Sequence, residues 1–245
     1  MLTEVELERY ARQVMLFGED GQGRLKKARV FIAGAGGLGC PVALYLAAAG
    51  VGHLTIVDKD LVERSNLNRQ VLHWEQDIGK EKVISVEEKL LAINPHIEIE
   101  ALCQVIDQTS VSELVGDADL IVDAMDNYPT RYLLNRTAHE KSIPLVHGAI
   151  RGFDGQATTV IPGKSACLSC IFPCVPPAEV FPAVGVTPGI IGMIQANEVI
   201  KYLVGAGNLL TDKLLVWNGL SSEMETLRFS KRCDCEVCGQ GSLDK

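Results

Sequence analysis

Positive charge is scarce in this sequence: 23 lysines and arginines stand against 31 aspartates and glutamates, which gives a formal net charge of −8. A broad nucleic-acid surface needs Lys and Arg clustered along one face, so we expect no nucleic-acid partner. Residues 1–9 are acidic and lack the apolar segment of a secretory signal, and the longest run of small apolar residues, 42–51, is too short to cross a bilayer. We expect a cytoplasmic protein without membrane contact.

Low-complexity segments and internal repeats are also lacking, and aromatic residues make up only 5% of the chain. Apolar residues nevertheless account for 47% and charged residues for 22%, which is enough to build a sizeable core and argues against disorder. A chain of 245 residues lies near the upper limit for one α/β unit. We therefore expect a single domain over residues 1–245.

Short apolar strands alternate with amphipathic helices over residues 1–150. Alternation of this kind implies right-handed crossovers and a mainly parallel sheet, so this half is expected to bind the nucleotide. The predicted helices are 3–17, 41–50, 79–93, 109–115 and 128–141, and the predicted strands are 29–33, 53–57, 97–101, 120–122 and 145–147.

The pattern changes in the last third of the chain. There, Thr187 is the expected N-cap of a helix that has Pro188 at its first position and ends near Gly205. The fold class predicted is α/β, with a mainly parallel, Rossmann-like sheet and an antiparallel C-terminal extension over 151–245. The strands expected in this extension are 156–161, 213–217 and 223–229.

A glycine-rich turn, Gly34-Ala-Gly36-Gly37-Leu-Gly39, follows the first predicted strand and precedes a helix. Glycine at these positions permits a tight turn and a close approach of backbone N–H groups to phosphate, next to a helix N-terminus. Asp58 ends the second strand, where a carboxylate can accept hydrogen bonds from ribose hydroxyls. The turn predicts nucleotide binding but does not distinguish ATP from NAD.

Charged residues after the second strand favour ATP. Transfer of AMP builds negative charge on the α-phosphate and on the departing pyrophosphate, and fixed cations such as Arg69 and Lys82 would stabilise that charge. Asp126 follows the strand 120–122 and is expected at the carboxyl edge of the sheet, where it could hold Mg²⁺. An NAD(P)-dependent oxidoreductase and a nucleotide-binding scaffold without turnover remain as alternatives.

The eight cysteines indicate metal or redox chemistry, because disulfides are rare in cytosolic proteins of this size. Cys167-x-x-Cys170 and Cys235-x-x-Cys238 supply four thiolates, the set that structural Zn²⁺ prefers. A redox dithiol and unrelated free thiols are the alternatives. Cys233 competes for a place in the second pair. We expect a four-cysteine zinc site that stabilises the C-terminal extension.

Taken in order, these motifs resemble the ThiF/MoeB/HesA family of adenylating enzymes, the prokaryotic relatives of ubiquitin-activating enzymes. The similarity runs over nearly the whole chain. The motifs that carry it are Arg9-Tyr-x-Arg12-Gln13, Gly34-x-Gly-Gly-Leu-Gly39, Asp58-x-Asp60, Ser65-Asn66-Leu-x-Arg69-Gln70, Gly79-x-x-Lys82, Asp126-Asn127 and the two Cys-x-x-Cys pairs.

The resemblance implies a homodimer in which each subunit is a single ThiF-type adenylation domain that uses ATP, Mg²⁺ and Zn²⁺. It further implies that Asp58 holds the ribose, that Asp126 organises Mg²⁺, and that Arg12 reaches the triphosphate from the other subunit. The implied catalytic residues are Arg12, Asn66, Arg69, Lys82 and Asp126. The implied nucleotide-binding residues are Gly34, Gly36, Gly37, Gly39, Asp58, Asp60, Asn66, Arg69, Gln70, Lys82, Asp126 and Asn127.

Members of the family adenylate the C-terminal Gly-Gly carboxylate of a ubiquitin-like, β-grasp sulfur carrier in molybdopterin- or thiamine-type sulfur transfer. The resemblance implies the same substrate for this chain, and a small-molecule or peptide carboxylate is the alternative. Residues 153–161 are expected to form one wall of a groove for an extended peptide tail.

The sequence departs from many relatives in one loop. They carry a cysteine shortly before a Gly-Val turn, whereas the matching position near Phe181 has no thiol and the loop is shortened. We therefore expect the enzyme to stop at the adenylate, with later chemistry left to a separate sulfur donor. The alternative is that Cys174, upstream in the same loop, acts as the nucleophile.

Overall fold

The computed structural model of the chain describes residues 1–174 and 181–239. Their strands are β1 Arg29–Ala33, β2 His53–Val57, β3 Glu98–Leu102, β4 Leu120–Asp123, β5 Leu145–Arg151, β6 Asp154–Val160, β7 Lys213–Asn218 and β8 Glu223–Arg228. Their helices are α1 Glu4–Arg9, α2 Ala11–Lys27, α3 Gly39–Ala49, α4 Lys82–Ile93, α5 Val111–Val115, α6 Tyr128–Lys141, α7 Leu168–Ile171 and α8 Val186–Val204. No helix in these two ranges is both long and apolar enough to cross a bilayer.

One sheet contains all of these strands, in the order β3-β2-β1-β4-β5-β6-β7-β8. Neighbouring strands are parallel from β3 across to β5 and antiparallel from β5 to β8. This arrangement confirms the predicted fold class, a Rossmann-like parallel sheet with an antiparallel C-terminal extension. From β1 the chain adds β2 and β3 on one side of the sheet, and it then returns to add β4 and β5 on the other side. Open α/β sheets bind their ligands at the point between β1 and β4 where this direction reverses.

Helices cover both faces of the parallel half. Successive side chains of a strand point to opposite faces, so neighbouring residues of β1 enter different cores. Ile32 belongs to the cluster that contains Leu46 of α3, and Phe31 belongs to the cluster that contains Leu134 of α6. Because Phe31 and Ile32 are fully buried, the end of β1 is fixed on both sides, and the glycine turn starts from a rigid strand.

The predicted helix over 3–17 is two helices. The capping box of Thr3 and Glu6 begins α1 as its sequence indicates, but α1 ends at Tyr10, whose backbone has φ −98° and ψ 15°. The Tyr10 ring packs so closely on Gly50 that a Cβ there would overlap it, and its hydroxyl accepts a hydrogen bond from Asn94 Nδ2 at 2.7 Å. Long-range packing of one tyrosine therefore interrupts a continuous helical pattern.

The predicted N-cap at Thr187 is wrong. α8 begins at Val186 with Gly185 at the N-cap, and Thr187 lies inside the helix. The Thr187 hydroxyl donates to the carbonyl of Gly152, in the turn between β5 and β6, at 2.9 Å. Pro188 is still tolerated, because the first N–H groups of a helix have no intrahelical acceptor to lose. Thr187 ties the helix to the sheet instead of capping it.

Candidate functional site

A cavity of about 970 Å³ lies at the carboxyl ends of β1, β2 and β4 and extends over β5 and β6. A smaller cavity of about 450 Å³, lined by residues of β2, β3 and α5, contains none of the predicted site residues. The larger cavity brings together most of the predicted nucleotide set. Its lining includes Gly34, Gly36, Gly37, Asp58, Asp60, Arg69, Gln70, Lys82, Asp126 and Asn127.

The glycine turn between β1 and α3 has a backbone that side chains would not permit. Gly34 has φ +100°, and a Cβ on Gly39 would overlap the carbonyl oxygen of Gly34. The absence of a Cβ on Gly39 therefore allows its backbone to pack against Gly34, on the side of the turn away from the cavity. Gly36 and Gly37 line the cavity, and Gly39 does not. The turn leaves backbone amides next to the N-terminus of α3, a place that favours phosphate.

Asp58 lies at the end of β2 and faces the glycine turn. Its Oδ2 accepts from the Ala35 N–H at 2.8 Å, and its Oδ1 accepts from the Asp60 N–H at 2.9 Å. A carboxylate has about four acceptor sites, so two remain for ribose hydroxyls. The residue predicted to hold the ribose therefore also holds the glycine turn in place.

Two cations reach the cavity from the segment after β2. Lys82, the first residue of α4, is 6% exposed, and its Nζ lies 3.1 Å from Asp60 Oδ2. Arg69 donates through one guanidinium nitrogen to the Ser65 carbonyl at 2.8 Å and to Asn68 Oδ1 at 3.0 Å. Both residues line the cavity, so a phosphate group there would offer Arg69 a charge-assisted bond in place of its neutral acceptors and would offer Lys82 an anionic partner besides Asp60.

Asn66 and Gln70 differ in their position relative to the cavity. Asn66 is buried, accepts from the Glu63 N–H at 3.1 Å, and is not part of the cavity lining. Gln70 lines the cavity, and its buried Oε1 accepts no hydrogen bond from the part of the chain that the structure describes. Asn66 shapes the loop that carries Arg69, while Gln70 contributes directly to the cavity lining.

Asp126 is exposed at the cavity wall, just before α6. Asn127 is the N-cap of this helix and accepts from the Thr130 N–H at 3.0 Å, and its Nδ2 lies 3.4 Å from Asp126 Oδ1. A single exposed carboxylate suits Mg²⁺, which keeps several waters and takes its other ligands from phosphate oxygens.

Sequence reasoning missed Arg131, which lies at 6% exposure in the first turns of α6. Its guanidinium lines the cavity, donates to the Met125 carbonyl at 2.6 and 3.2 Å, and lies 5.1 Å from the Tyr128 ring centroid. These bonds fix the backbone that carries Asp126. The one sequence feature that points to Arg131 is its position shortly after Asp126, near the start of the predicted helix 128–141.

Arg12 does not line the cavity of its own subunit. It is exposed on α2, close in sequence to the exposed apolar residues Met15 and Leu16, which are 79% and 83% accessible. The single chain therefore brings Arg69, Lys82 and Asp126 together in the cavity and leaves Arg12 and Asn66 outside its lining.

The far wall of the cavity comes from the antiparallel extension. Asp154, Gly155 and Gln156 of β6 line it, as the expected groove wall over 153–161 requires. Phe181, at the position without a thiol, lines the same cavity, and the Arg151 guanidinium lies 5.2 Å from its ring centroid. The rest of the shortened loop, residues 175–180, lies outside the described residues. The residues around the glycine turn and those of β6 thus line one continuous cavity.

Four buried cysteines converge in the core that also contains Leu134 of α6. The Sγ atoms of Cys167, Cys170, Cys235 and Cys238 all lie within 4.8 Å of one another, with individual separations of 3.3, 3.6 and 4.0 Å. Tetrahedral Zn²⁺ with Zn–S bonds of about 2.3 Å places its sulfurs about 3.8 Å apart, so the cluster fits the ion. Cys174 and Cys233 are exposed and outside the cluster. Cys233 therefore does not compete for the second pair.

Burial and hydrogen bonds act in opposite directions on the four thiols: burial raises the pKa of Cys167 and Cys238, whereas hydrogen bonds to sulfur favour the thiolate elsewhere in the cluster. The backbone N–H of Arg232 donates to Cys170 Sγ at 3.4 Å. Burial raises the pKa of Cys235, but the N–H groups of Cys238 and Val237 outweigh it and lower the pKa to about 7. A deprotonated thiol is the form that binds a metal.

Comparison with known proteins agrees with the geometry. A model of the ThiF family matches residues 10–237. The chain is 44% identical to the SAMP-activating enzyme E1 of Haloferax volcanii, over 99% of this chain and 93% of that protein. It is 41% identical to the sulfur carrier protein adenylyltransferase of Thermus thermophilus, over 97% of this chain and 92% of that protein. It also matches the adenylyltransferase and sulfurtransferase MOCS3 of Drosophila sechellia at 42% identity, but spans only 55% of that protein.

Solved structures show the same fold. The crystal structure of E. coli MccB superposes with a TM-score of 0.87 at 24% identity, over 98% of this chain and 74% of that one. Selenomethionine PaaA superposes with a TM-score of 0.82 at 25% identity, over 93% of this chain and 84% of that one.

Proposed function

We propose, from the premise that this chain belongs to the ThiF family, that it adenylates the C-terminal Gly-Gly carboxylate of a ubiquitin-like sulfur-carrier protein at the expense of ATP. The chain is an adenylyltransferase, as are relatives that match nearly all of it. The observation that carries the substrate proposal is the continuous cavity, which joins the glycine turn, Lys82 and Asp126 to a wall formed by β6. A tail that enters along β6 ends beside the phosphates.

The reaction follows from the positions of the charges. An oxygen of the carrier carboxylate forms a bond to the α-phosphorus, the bond from that phosphorus to the bridging oxygen breaks, and pyrophosphate leaves with the electron pair. Lys82 and Arg69 lie where they can stabilise the negative charge that builds on both fragments. Asp126, whose backbone Arg131 fixes, would hold Mg²⁺, which offsets the charge of the triphosphate.

The family match favours AMP transfer over hydride transfer, so an oxidoreductase is not our proposal. A small-molecule or peptide carboxylate in place of the carrier is the second candidate, since the position near Phe181 differs from that of many relatives. Exchange of labelled pyrophosphate into ATP separates the two. We expect exchange to require a β-grasp carrier that ends in Gly-Gly, and exchange that proceeds with a small carboxylate alone would favour the second candidate.

Changing the last residue of the carrier tests the groove. Gly155 of β6 and Phe181 both line the cavity, and we propose that the last residue of the tail lies between them, where a side chain would not fit. We expect a carrier whose final Gly is replaced by Leu to lose pyrophosphate exchange, while replacement of a residue in its folded part leaves exchange intact. Equal exchange with both carriers would contradict a glycine-selective groove.

The enzyme should work as a homodimer in which Arg12 serves the partner's site. Its exposed position outside its own cavity supports this assignment. Arg12→Ala and Asp126→Ala should each be inactive alone. Mixing them by reversible unfolding should restore about one quarter of wild-type exchange, because half of the dimers are hybrids and each hybrid has one intact site. If mixing restores nothing, Arg12 acts within its own subunit or not at all.

Several further assignments belong to the same proposal. The four-cysteine cluster holds structural Zn²⁺, residues 1–245 form one adenylation domain, and the protein is cytoplasmic. The enzyme stops at the adenylate, so a separate sulfur donor completes the transfer. Cys174→Ser should then leave pyrophosphate exchange unchanged.

A further inference from the structure

Ala35, the residue between the first two glycines of the turn, is held at both of its backbone polar groups. Its N–H donates to Asp58 Oδ2 at 2.8 Å. Its carbonyl oxygen lies 2.9 Å from Nε2 of His73, a side chain that is 3% exposed. Asp58 belongs to the predicted nucleotide site, whereas His73 is not among the predicted site residues and does not line the cavity.

The direction of the Ala35 carbonyl decides the direction of the next amide. In a trans peptide the C=O of one residue and the N–H of the following residue point in opposite directions. No cis peptide bond occurs among the described residues. Because the Ala35 carbonyl points inward to buried His73, the N–H of Gly36 points outward, and Gly36 lines the cavity. This is the amide that a phosphate at the turn would meet.

His73 is itself fixed by a buried polar chain. Its Nδ1 lies 2.9 Å from Ser85 Oγ, and Ser85 Oγ lies 3.0 Å from Lys89 Nζ, which forms an ion pair with buried Asp77. Burial lowers the pKa of His73, and Lys82 and Lys89 add to this effect, against the opposing effect of the hydrogen bond to Ala35. Because a carbonyl oxygen can only accept, Nε2 carries the hydrogen of its contact with Ala35. A neutral ring that donates from Nε2 to the Ala35 carbonyl has Nδ1 as an acceptor facing Ser85 Oγ, whose single hydrogen also has Asp77 Oδ2 within reach at 3.1 Å.

We propose that His73 is a positioning residue for the phosphate site: its Nε2–H holds the Ala35 carbonyl inward and so aims the Gly36 N–H at the bound phosphates. The inference rests on the proposed function only in taking ATP as the ligand. It does not depend on the carrier or on AMP transfer. His73 touches neither substrate nor reacting atoms, and acts through one peptide group.

Direct binding of ATP and of adenosine to the same variants tests this role. His73→Phe keeps a ring but removes the donor, and we expect it to weaken ATP binding by about tenfold to a hundredfold, the effect of one lost hydrogen bond to a charged group. Adenosine, which has no phosphate, should bind as it does to the wild type. His73→Gln, whose side-chain amide can donate in place of Nε2–H, should restore the affinity for ATP.

His139→Phe is the matched control, since His139 is a partly buried histidine near the end of α6 and is not part of the cavity lining. Should His73→Phe not fold, Ser85→Ala leaves the ring in place and removes the hydroxyl that orients it, with the same expected contrast between ATP and adenosine.

The outcomes separate the two proposals. Unchanged ATP affinity in His73→Phe, an equal loss for ATP and adenosine, or failure of a folded His73→Gln to recover would overturn the role of His73. A wild-type protein that binds ATP but shows no pyrophosphate exchange with any carrier or carboxylate would overturn the proposed function and leave the role of His73 standing. A wild-type protein that binds no ATP would overturn both.

Discussion

Replacing Lys82 by Met lowers the rate of pyrophosphate exchange by about 10²- to 10³-fold, the usual cost of removing one preorganised group that stabilises transition-state charge. Lys82 is 6% exposed, lines the cavity beside the glycine turn, and has one carboxylate partner, Asp60, at 3.1 Å. Asp60 is half exposed, so its loss of a partner costs little stability. The effect should therefore appear in kcat, with the melting temperature almost unchanged.

Lys80→Met is the matched control for this substitution. Lys80 lies two residues earlier, is more exposed, and forms ion pairs with Glu88 and Asp77 without lining the cavity. We expect its exchange rate to stay close to that of the wild type. Similar losses in both variants would mean that general positive charge in this segment, rather than Lys82 itself, supports the reaction.

Replacing Cys170 by Ser lowers the free energy of unfolding by about 4 kcal/mol or more if the four cysteines hold structural Zn²⁺, as we propose, because the metal site is then lost. For a domain of this size that corresponds to a fall of about 10 °C in the melting temperature. Cys170 is buried against Cys238 at 3.3 Å, and the four thiols connect α7 to the last described segment of the chain. The measurements are thermal unfolding and zinc content of protein purified under reducing conditions.

Cys233→Ser is the control for the zinc site, since Cys233 is exposed and lies outside the cluster although it is only two residues from Cys235. Its melting temperature and zinc content should match those of the wild type. A zinc-free wild type, or equal losses in both variants, would contradict a metal held by these four thiols. A chelator should reproduce the effect of Cys170→Ser in the wild type and have no further effect on the variant.

Features of the sequence that depend on local chemistry predicted the structure well. The glycine turn needs residues without a Cβ, so Gly34 and Gly39 could be identified from their spacing between a strand and a helix. The alternation of strands and helices likewise predicted the parallel sheet and its antiparallel extension. The two Cys-x-x-Cys pairs predicted the buried cluster, because together they supply all four ligands of a tetrahedral metal site.

Features that depend on distant contacts could not be predicted. Tyr10 interrupts a good helical pattern because its ring packs on Gly50, and Thr187 uses its hydroxyl on Gly152 rather than on its own helix. His73 acquires its place from Ala35 and Ser85, which are far from it in sequence. Spacing favoured Cys235 as the partner of Cys238 but left Cys233 as a competitor, because both lie close to Cys238 in sequence. Only the folded chain separates them.

The most direct test of the central claim is to follow the fate of each phosphate of ATP. The enzyme is incubated with Mg²⁺, a Gly-Gly carrier and ATP labelled in either the α- or the γ-phosphate, and the carrier is then isolated under acidic conditions. Our account predicts that label from the α-phosphate joins the carrier C-terminus while label from the γ-phosphate leaves as pyrophosphate. Label on the carrier from the γ-phosphate, or from neither, would contradict it.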